Sequence, residues 1–118
     1  MTIGSLQQSL ASFAAERDWE QFHTPKNLAM ALTGECGELV EIFQWLTPDE
    51  STTVMDDPVR AARVREEMAD VFAYLLRMAD VLELDLERAL ADKIEVNRGK
   101  YPAHLARGRA DKYTQLGG

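Results

Sequence analysis

Apolar residues recur at helical spacing in four stretches of this chain. Leu6, Leu10, Phe13 and Ala14 share one face of a segment running from about Ser5 to Glu16. A connector from Arg17 to Thr24 follows and carries Trp19, Phe22 and His23. Thr24-Pro25 has the form of an N-cap with proline at the first helical position. It opens a second helix, which the spacing carries to about Leu46, where Thr47-Pro48 stops it. The polar residues from Asp49 to Asp56 are expected to form a loop. Asp57-Pro58 repeats the cap-plus-proline signal and starts a third helix reaching about Leu82. Asp85 caps a fourth, which ends near Arg98, before Gly99 and Pro102. No alternating β-branched run and no Asn-Gly or Asp-Gly hairpin signal occurs.

The expected fold is therefore all-α, a four-helix bundle in one domain over residues 1–118, with a core of about 5–102. The long second and third helices should pair antiparallel across their short loop. The polar tail, 106–118, is expected to order only against a partner.

Composition narrows the picture. A chain of 118 residues has apolar area for one core, and its 46% hydrophobic content is ordinary for a globular protein. The net charge of −7 argues against a general binder of nucleic-acid backbone. Basic residues do gather from Arg88 to Lys112, which leaves room for a local anion contact. Cys36, the single cysteine, has no partner for an intrachain disulfide. No signal-peptide pattern opens the chain, and no apolar run approaches the roughly 20 residues of a membrane span. A soluble, cytoplasmic protein is expected.

The second helix carries an apolar stripe of Leu28, Leu32, Cys36, Leu39, Phe43 and Leu46, widened by Ala31, Ile42 and Trp45. On this reading Cys36 is a small core residue. At about 100° per residue, Glu35 falls inside that apolar sector and Glu38 near its margin. The third helix has a main stripe of Val64, Met68, Val71, Phe72, Leu75, Ala79 and Leu82. Beside it runs a second line, Glu67, Asp70, Tyr74, Met78 and Val81, acidic in its first half and apolar or aromatic in its second.

Each acidic pair has i, i+3 spacing and presents two carboxylates from one side of its helix. Antiparallel pairing of the helices brings the pairs together. Four shielded carboxylates repel and lose hydration, a conflict that a hard divalent cation removes. An open carboxylate site for Mg²⁺, with Mn²⁺ as a substitute, suits phosphate-ester chemistry. The bland alternative is a solvated acidic face, or pairing of Glu67 and Asp70 with Arg63 or Arg77. Those arginines sit elsewhere on the helical wheel.

Gly34-Glu35-Cys36-Gly37-Glu38-Leu39 and Glu66-Glu67-Met68-Ala69-Asp70-Val71 resemble the motifs of the MazG-like all-α nucleoside triphosphate pyrophosphohydrolases. The likeness is strongest to the dCTP pyrophosphatase branch. It also covers residues Phe13 to His23, Phe43-Gln44-Trp45, Asn97-Arg98 and Lys100-Tyr101-Pro102, about residues 6 to 102 in all. The resemblance implies cleavage of dCTP, or a modified dCTP, to the monophosphate and pyrophosphate in nucleotide-pool sanitation. It implies Glu35, Glu38, Glu67 and Asp70 as metal ligands and catalytic carboxylates, in a homodimer or homotetramer whose sites borrow residues across the interface. Two departures stand out. Gly34 replaces the first acid of the wider family's motif, as in the dCTP branch. Leu10 stands where that branch has a histidine near the base pocket.

Other residues have two readings each. Trp19 and Trp45 offer faces for a nucleobase or pack a core. Tyr74 offers a hydroxyl to sugar or phosphate, or lies at a core boundary. Lys93 and Asn97, four apart, contact phosphate and sugar or base on the resemblance, and face solvent on spacing alone. Arg98 and Tyr101 are further substrate candidates, and His23 lines a base pocket or merely precedes a helix. No Walker A loop or Rossmann glycine pattern is present. The rival readings are a related hydrolase of dUTP, a damaged purine triphosphate or phosphoribosyl-ATP, and a non-catalytic oligomerisation module. A di-iron bundle is excluded because neither His23 nor His104 completes a Glu-x-x-His pair at a site position.

Overall fold

Helix starts are fixed by side-chain caps. Thr2 accepts from Ser5 N–H and Ser5 reciprocates, so the first helix begins earlier than the apolar pattern indicates. Thr24 accepts from Asn27 N–H ahead of Pro25, Asp57 from Val59 N–H ahead of Pro58, and Asp85 from Arg88 N–H. The computed structural model describes residues 1–116, and among them all regular structure is helical. The helices are α1 (Ile3–Glu16), α2 (Pro25–Phe43), α3 (Pro48–Ser51), α4 (Pro58–Val81), α5 (Leu86–Lys100) and α6 (Ala103–Ala106). The all-α expectation holds.

Other boundaries differ from the pattern as well. The second helix stops at Phe43, because Leu46 N–H turns back to the Phe43 carbonyl. The segment read as a loop contains α3 and a 3-10 turn at Val54–Asp56. Thr47 and Glu50 form a reciprocal capping box around Pro48, so the Thr-Pro expected to end one helix starts another.

The chain forms two compact units, Met1–Glu83 and the segment from Leu84 onward. In the first, α2 and α4 pair. Ile42, late on α2, packs with Val64, early on α4, and with Val54; Leu39, Phe43 and Leu46 close this cluster. Glu35, earlier on α2, faces Glu67 and Asp70, later on α4. The helices are therefore antiparallel, as expected. α1 packs along the second half of α4, where Gln7 Nε2 donates to the Leu76 carbonyl at 3.0 Å.

The buried stripes are offset from the expected ones. On α2 the shielded seam runs through Leu28, Leu32, Glu35, Leu39 and Ile42, at spacings of four, three, four and three, with Ala29, Ala31 and Phe43 beside it and Leu46 continuing it past the helix end. Glu35 lies in the middle of this seam, and Cys36, expected in the core, is exposed. On α4 the shielded positions include Ala61, Val64, Glu67, Val71, Tyr74, Leu76, Met78, Ala79 and Val81, while Met68, Asp70, Phe72 and Leu75 are exposed, as is Leu82 just past the helix. On the line that carries the acids, Glu67, Tyr74, Met78 and Val81 face inward and Asp70 is exposed. The reason is geometric: α1 and α2 cover only two flanks of α4 and leave an apolar flank of Met68, Phe72 and Leu75 in solvent.

In the second unit, α5 ends at Lys100 and Tyr101 meets Tyr113 edge to face at 6.1 Å. Arg109 pairs with Asp111, and Leu116 is buried. The tail from 106 is thus more structured than its polarity indicates. Its last residues, 117 and 118, lie outside the described ones. No described helix is long and apolar enough to cross a membrane.

Candidate metal centre and adjoining cleft

The antiparallel seam brings the acidic pairs of α2 and α4 together. One carboxylate oxygen each from Glu35, Glu38 and Glu67 lies within 4.8 Å of the others. Glu35 Oε2 and Glu67 Oε2 are shielded from solvent and have no hydrogen-bond partner. Among the described residues, no ion pair joins any of these three, or Asp70, to a lysine or arginine. Arg77 pairs with Asp80 instead, so the neutralising arginine of the bland reading is absent there. Asp70 stands beside the trio and adds its charge to Glu35 and Glu67.

Burial, followed by the neighbouring carboxylates of Glu38, Asp70 and Glu67, raises the pKa of Glu35. Burial, then Glu38 and Asp70, raises that of Glu67, with Arg63 weakly opposing. Stability of the metal-free protein is consequently expected to vary with pH. A carboxyl whose folded pKa is raised favours the fold below its unfolded pKa, and that contribution is lost as pH rises through the folded value. Chemical denaturation of chelator-treated protein is expected to show stability falling as pH rises out of the ordinary carboxylate range. In Glu35→Gln the slope should be shallower; an unchanged slope would contradict this electrostatic reading.

Beside the acids, a cleft of about 200 Å³ is lined by Leu10, Phe13, Trp19, His23, Asp70, Ala73, Tyr74 and Arg77. Local backbone geometry puts Trp19 there. Asp18 adopts φ 55°, a left-handed conformation that aspartate tolerates. The chain end of α1 folds back, with Asp18 N–H donating to the Ala15 carbonyl and Trp19 N–H to that of Ala14. Trp19 then meets Phe13 edge to face at 5.7 Å.

Of the residues singled out in the sequence, Trp19, His23, Asp70 and Tyr74 share this cleft. Trp45 does not; its indole, just past α2, is 87% exposed. Lys93, Asn97, Arg98 and Tyr101 belong to the second unit. Lys93 is exposed, Asn97 half-buried, and Arg98 is bound to Glu95 at 2.6 Å. Phe13 and Arg77 line the cleft without having been singled out as site residues. Asp70, Ala73, Tyr74 and Arg77 lie three or four residues apart along one face of α4, so Arg77 is on the side of the helix that carries Asp70, which corrects the expectation that it sits elsewhere on the wheel.

Acids and a cleft do not by themselves name a family. Residues 31–116, which include all four carboxylates, match the MazG-like family. This chain belongs to the MazG-like family. Within it, the chain is 48% identical to human dCTP pyrophosphatase 1 over 115 residues, spanning 98% of this chain and 68% of the human protein. The Bos taurus dCTP pyrophosphatase 1 is 46% identical over the same shares. The crystal structure of a pyrophosphatase from Archaeoglobus fulgidus superposes with a TM-score of 0.79 at 43% identity, covering 84% of this chain and 91% of that one. Family membership therefore rests on sequence and fold together.

Proposed function

We propose that this chain is a Mg²⁺-dependent pyrophosphohydrolase that converts dCTP, or a modified dCTP, to the monophosphate and pyrophosphate in nucleotide-pool sanitation. The observation that carries this is the 48% identity, across 98% of the chain, to proteins named dCTP pyrophosphatase 1. The non-catalytic alternative has no such support.

Glu35, Glu38, Glu67 and Asp70 fit a hard divalent cation. Their donors are all oxygen, and two shielded oxygens lack any other partner. When bound, Mg²⁺ or Mn²⁺ supplies Lewis-acid polarisation of phosphate oxygens and offsets the charge developing on them. The side chains do the rest. One carboxylate of the cluster, or an adjacent one, accepts a hydrogen bond from the attacking water and aims it in line at the α-phosphorus, with pyrophosphate leaving. Trp19 and Phe13 offer aromatic faces to the base. Tyr74, one turn after Asp70, offers its hydroxyl to sugar or phosphate.

The family likeness adds Lys93 as a cation for the triphosphate, Asn97 for sugar or base, and Trp45, Arg98 and Tyr101 as further contacts. We take residues 1–118 to act as one catalytic domain, working in the cytoplasm where nucleotide pools lie. The exposed flank of Met68, Phe72 and Leu75 supports a homodimer or homotetramer. Light scattering should give a mass of two or four chains; a monomer at micromolar concentration would remove the oligomer from this account.

Leu10 lines the cleft where the dCTP branch carries histidine, which favours a second reading with altered base preference. A pyrophosphate-release panel of dCTP, 5-substituted dCTP, dUTP, damaged purine triphosphates and phosphoribosyl-ATP tests both. Preference for the cytosine nucleotides is expected. Preference for another member would move the chain to the related-hydrolase reading, and no release from any would remove both.

A further inference from the structure

His23 and Arg77 face one another across 54 residues of sequence. Arg77 Nε–H donates to His23 Nδ1 at 3.1 Å, and both side chains line the cleft shared by Trp19 and Asp70. The Arg77 side chain is only 12% exposed, and its Nη1 is held by Asp80 Oδ2 at 3.4 Å. It is an anchored group.

Guanidinium has donors and no acceptor, and it does not lose its proton in a protein. The His23 Nδ1 that receives its hydrogen bond must therefore carry a lone pair. In a neutral imidazole the proton then sits on Nε2. A doubly protonated ring would set N–H against N–H. Burial, and then the charge of Arg77, also disfavour the imidazolium, against a smaller opposing pull from Glu20. With Nδ1 occupied, Nε2–H is the polar atom His23 has left for a ligand.

We propose that Arg77 is a positioning residue for base selection, fixing His23 as the Nε2–H tautomer so that it donates to an acceptor on the pairing edge of the base. Nothing in the family match or the relatives' names assigns this role. The donor discriminates. Cytosine presents ring N3 and O2 as acceptors, whereas uracil presents N–H at position 3. A fixed donor aimed at N3 therefore favours cytosine and leaves uracil with two opposed hydrogens. Leu10, Phe13 and Ala73 supply apolar wall beside it. The inference rests on the pyrophosphohydrolase reading for its ligand, but the tautomer itself does not.

Two measurements test it. Nitrogen-15 NMR of the free wild-type protein, at a pH where the ring is neutral, is expected to show His23 protonated on Nε2, with a tautomer mixture in Arg77→Met. Kinetics with dCTP and dUTP are then compared for wild type, Arg77→Met, Arg77→Lys, His23→Ala and the Arg77→Met/His23→Ala double variant. Arg77→Met should raise KM for dCTP and lower the dCTP-over-dUTP preference, each about tenfold, one hydrogen bond's worth. Its kcat should stay within about twofold. Arg77→Lys, still a donor without an acceptor, should restore most of the preference. The double variant should be no worse than His23→Ala, because Arg77 acts through His23.

An Nδ1–H tautomer in the wild type, additive effects in the double variant, or an unchanged preference in an active Arg77→Met would each overturn the role of Arg77 alone. A wild type that hydrolyses no nucleoside triphosphate would instead overturn the pyrophosphohydrolase reading, and base selection with it.

Discussion

Glu38→Gln, Glu67→Gln and Asp70→Asn are each expected to lower kcat toward dCTP on the order of 10³-fold, equivalent to about 4 kcal/mol of transition-state stabilisation. The effect is expected to be large because, on the proposed assignment, these carboxylates would carry the charge that holds a cation against the phosphates, and an amide carries none. The loss should come without loss of folding. Glu35 and Glu67 each keep a shielded oxygen with no partner. Burial and like charges raise both pKa values. Neutralising one of them removes repulsion that the metal-free fold must bear, so Glu35→Gln and Glu67→Gln should unfold at a higher temperature than chelator-treated wild type. Opposite movement of activity and stability marks residues kept for function. Full activity in Glu38→Gln or Asp70→Asn would contradict their assignment as ligands, measured as pyrophosphate release at saturating dCTP.

The second large effect is on the wild type. Mg²⁺ at about a hundred times its dissociation constant should stabilise the fold by about 2.7 kcal/mol, because only the folded seam assembles the four acids. For a chain of this size that is a rise in Tm of roughly 10 °C, read by thermal unfolding with and without chelator. In Glu67→Gln the rise should shrink to a small fraction. Equal shifts in wild type and variant would mean that the cation binds elsewhere.

Much of this arrangement is legible in the sequence. Thr24-Pro25, Asp57-Pro58 and Asp85 locate three of the long helices, because each cap signal is a local hydrogen bond that tertiary packing does not override. The seam is less legible. A stripe drawn through apolar residues skips positions where chemistry has replaced them. On α2 it runs through Cys36 rather than Glu35, and on α4 through Met68 rather than Glu67. Glu35 and Glu67 lie on the inward faces, Glu38 and Asp70 are exposed beside them, and the apolar flank of Met68, Phe72 and Leu75 is outward. Glu35 looked anomalous on the helical wheel. Moving the seam onto it explains the anomaly. The cleft was only partly legible. Trp19 is visible as an aromatic in a polar connector and Tyr74 as the residue one turn after Asp70, whereas the partnership of Arg77 and His23 depends on a contact between residues 54 apart.

The measurement that bears most directly on the central claim is hydrolysis of dCTP in ¹⁸O-enriched water with Mg²⁺, the products weighed by mass spectrometry. Attack on the α-phosphorus at the four-carboxylate centre should give dCMP carrying one ¹⁸O and unlabelled pyrophosphate, with no turnover once the cation is chelated. Label in the pyrophosphate, formation of dCDP and phosphate, or turnover that survives chelation would contradict it.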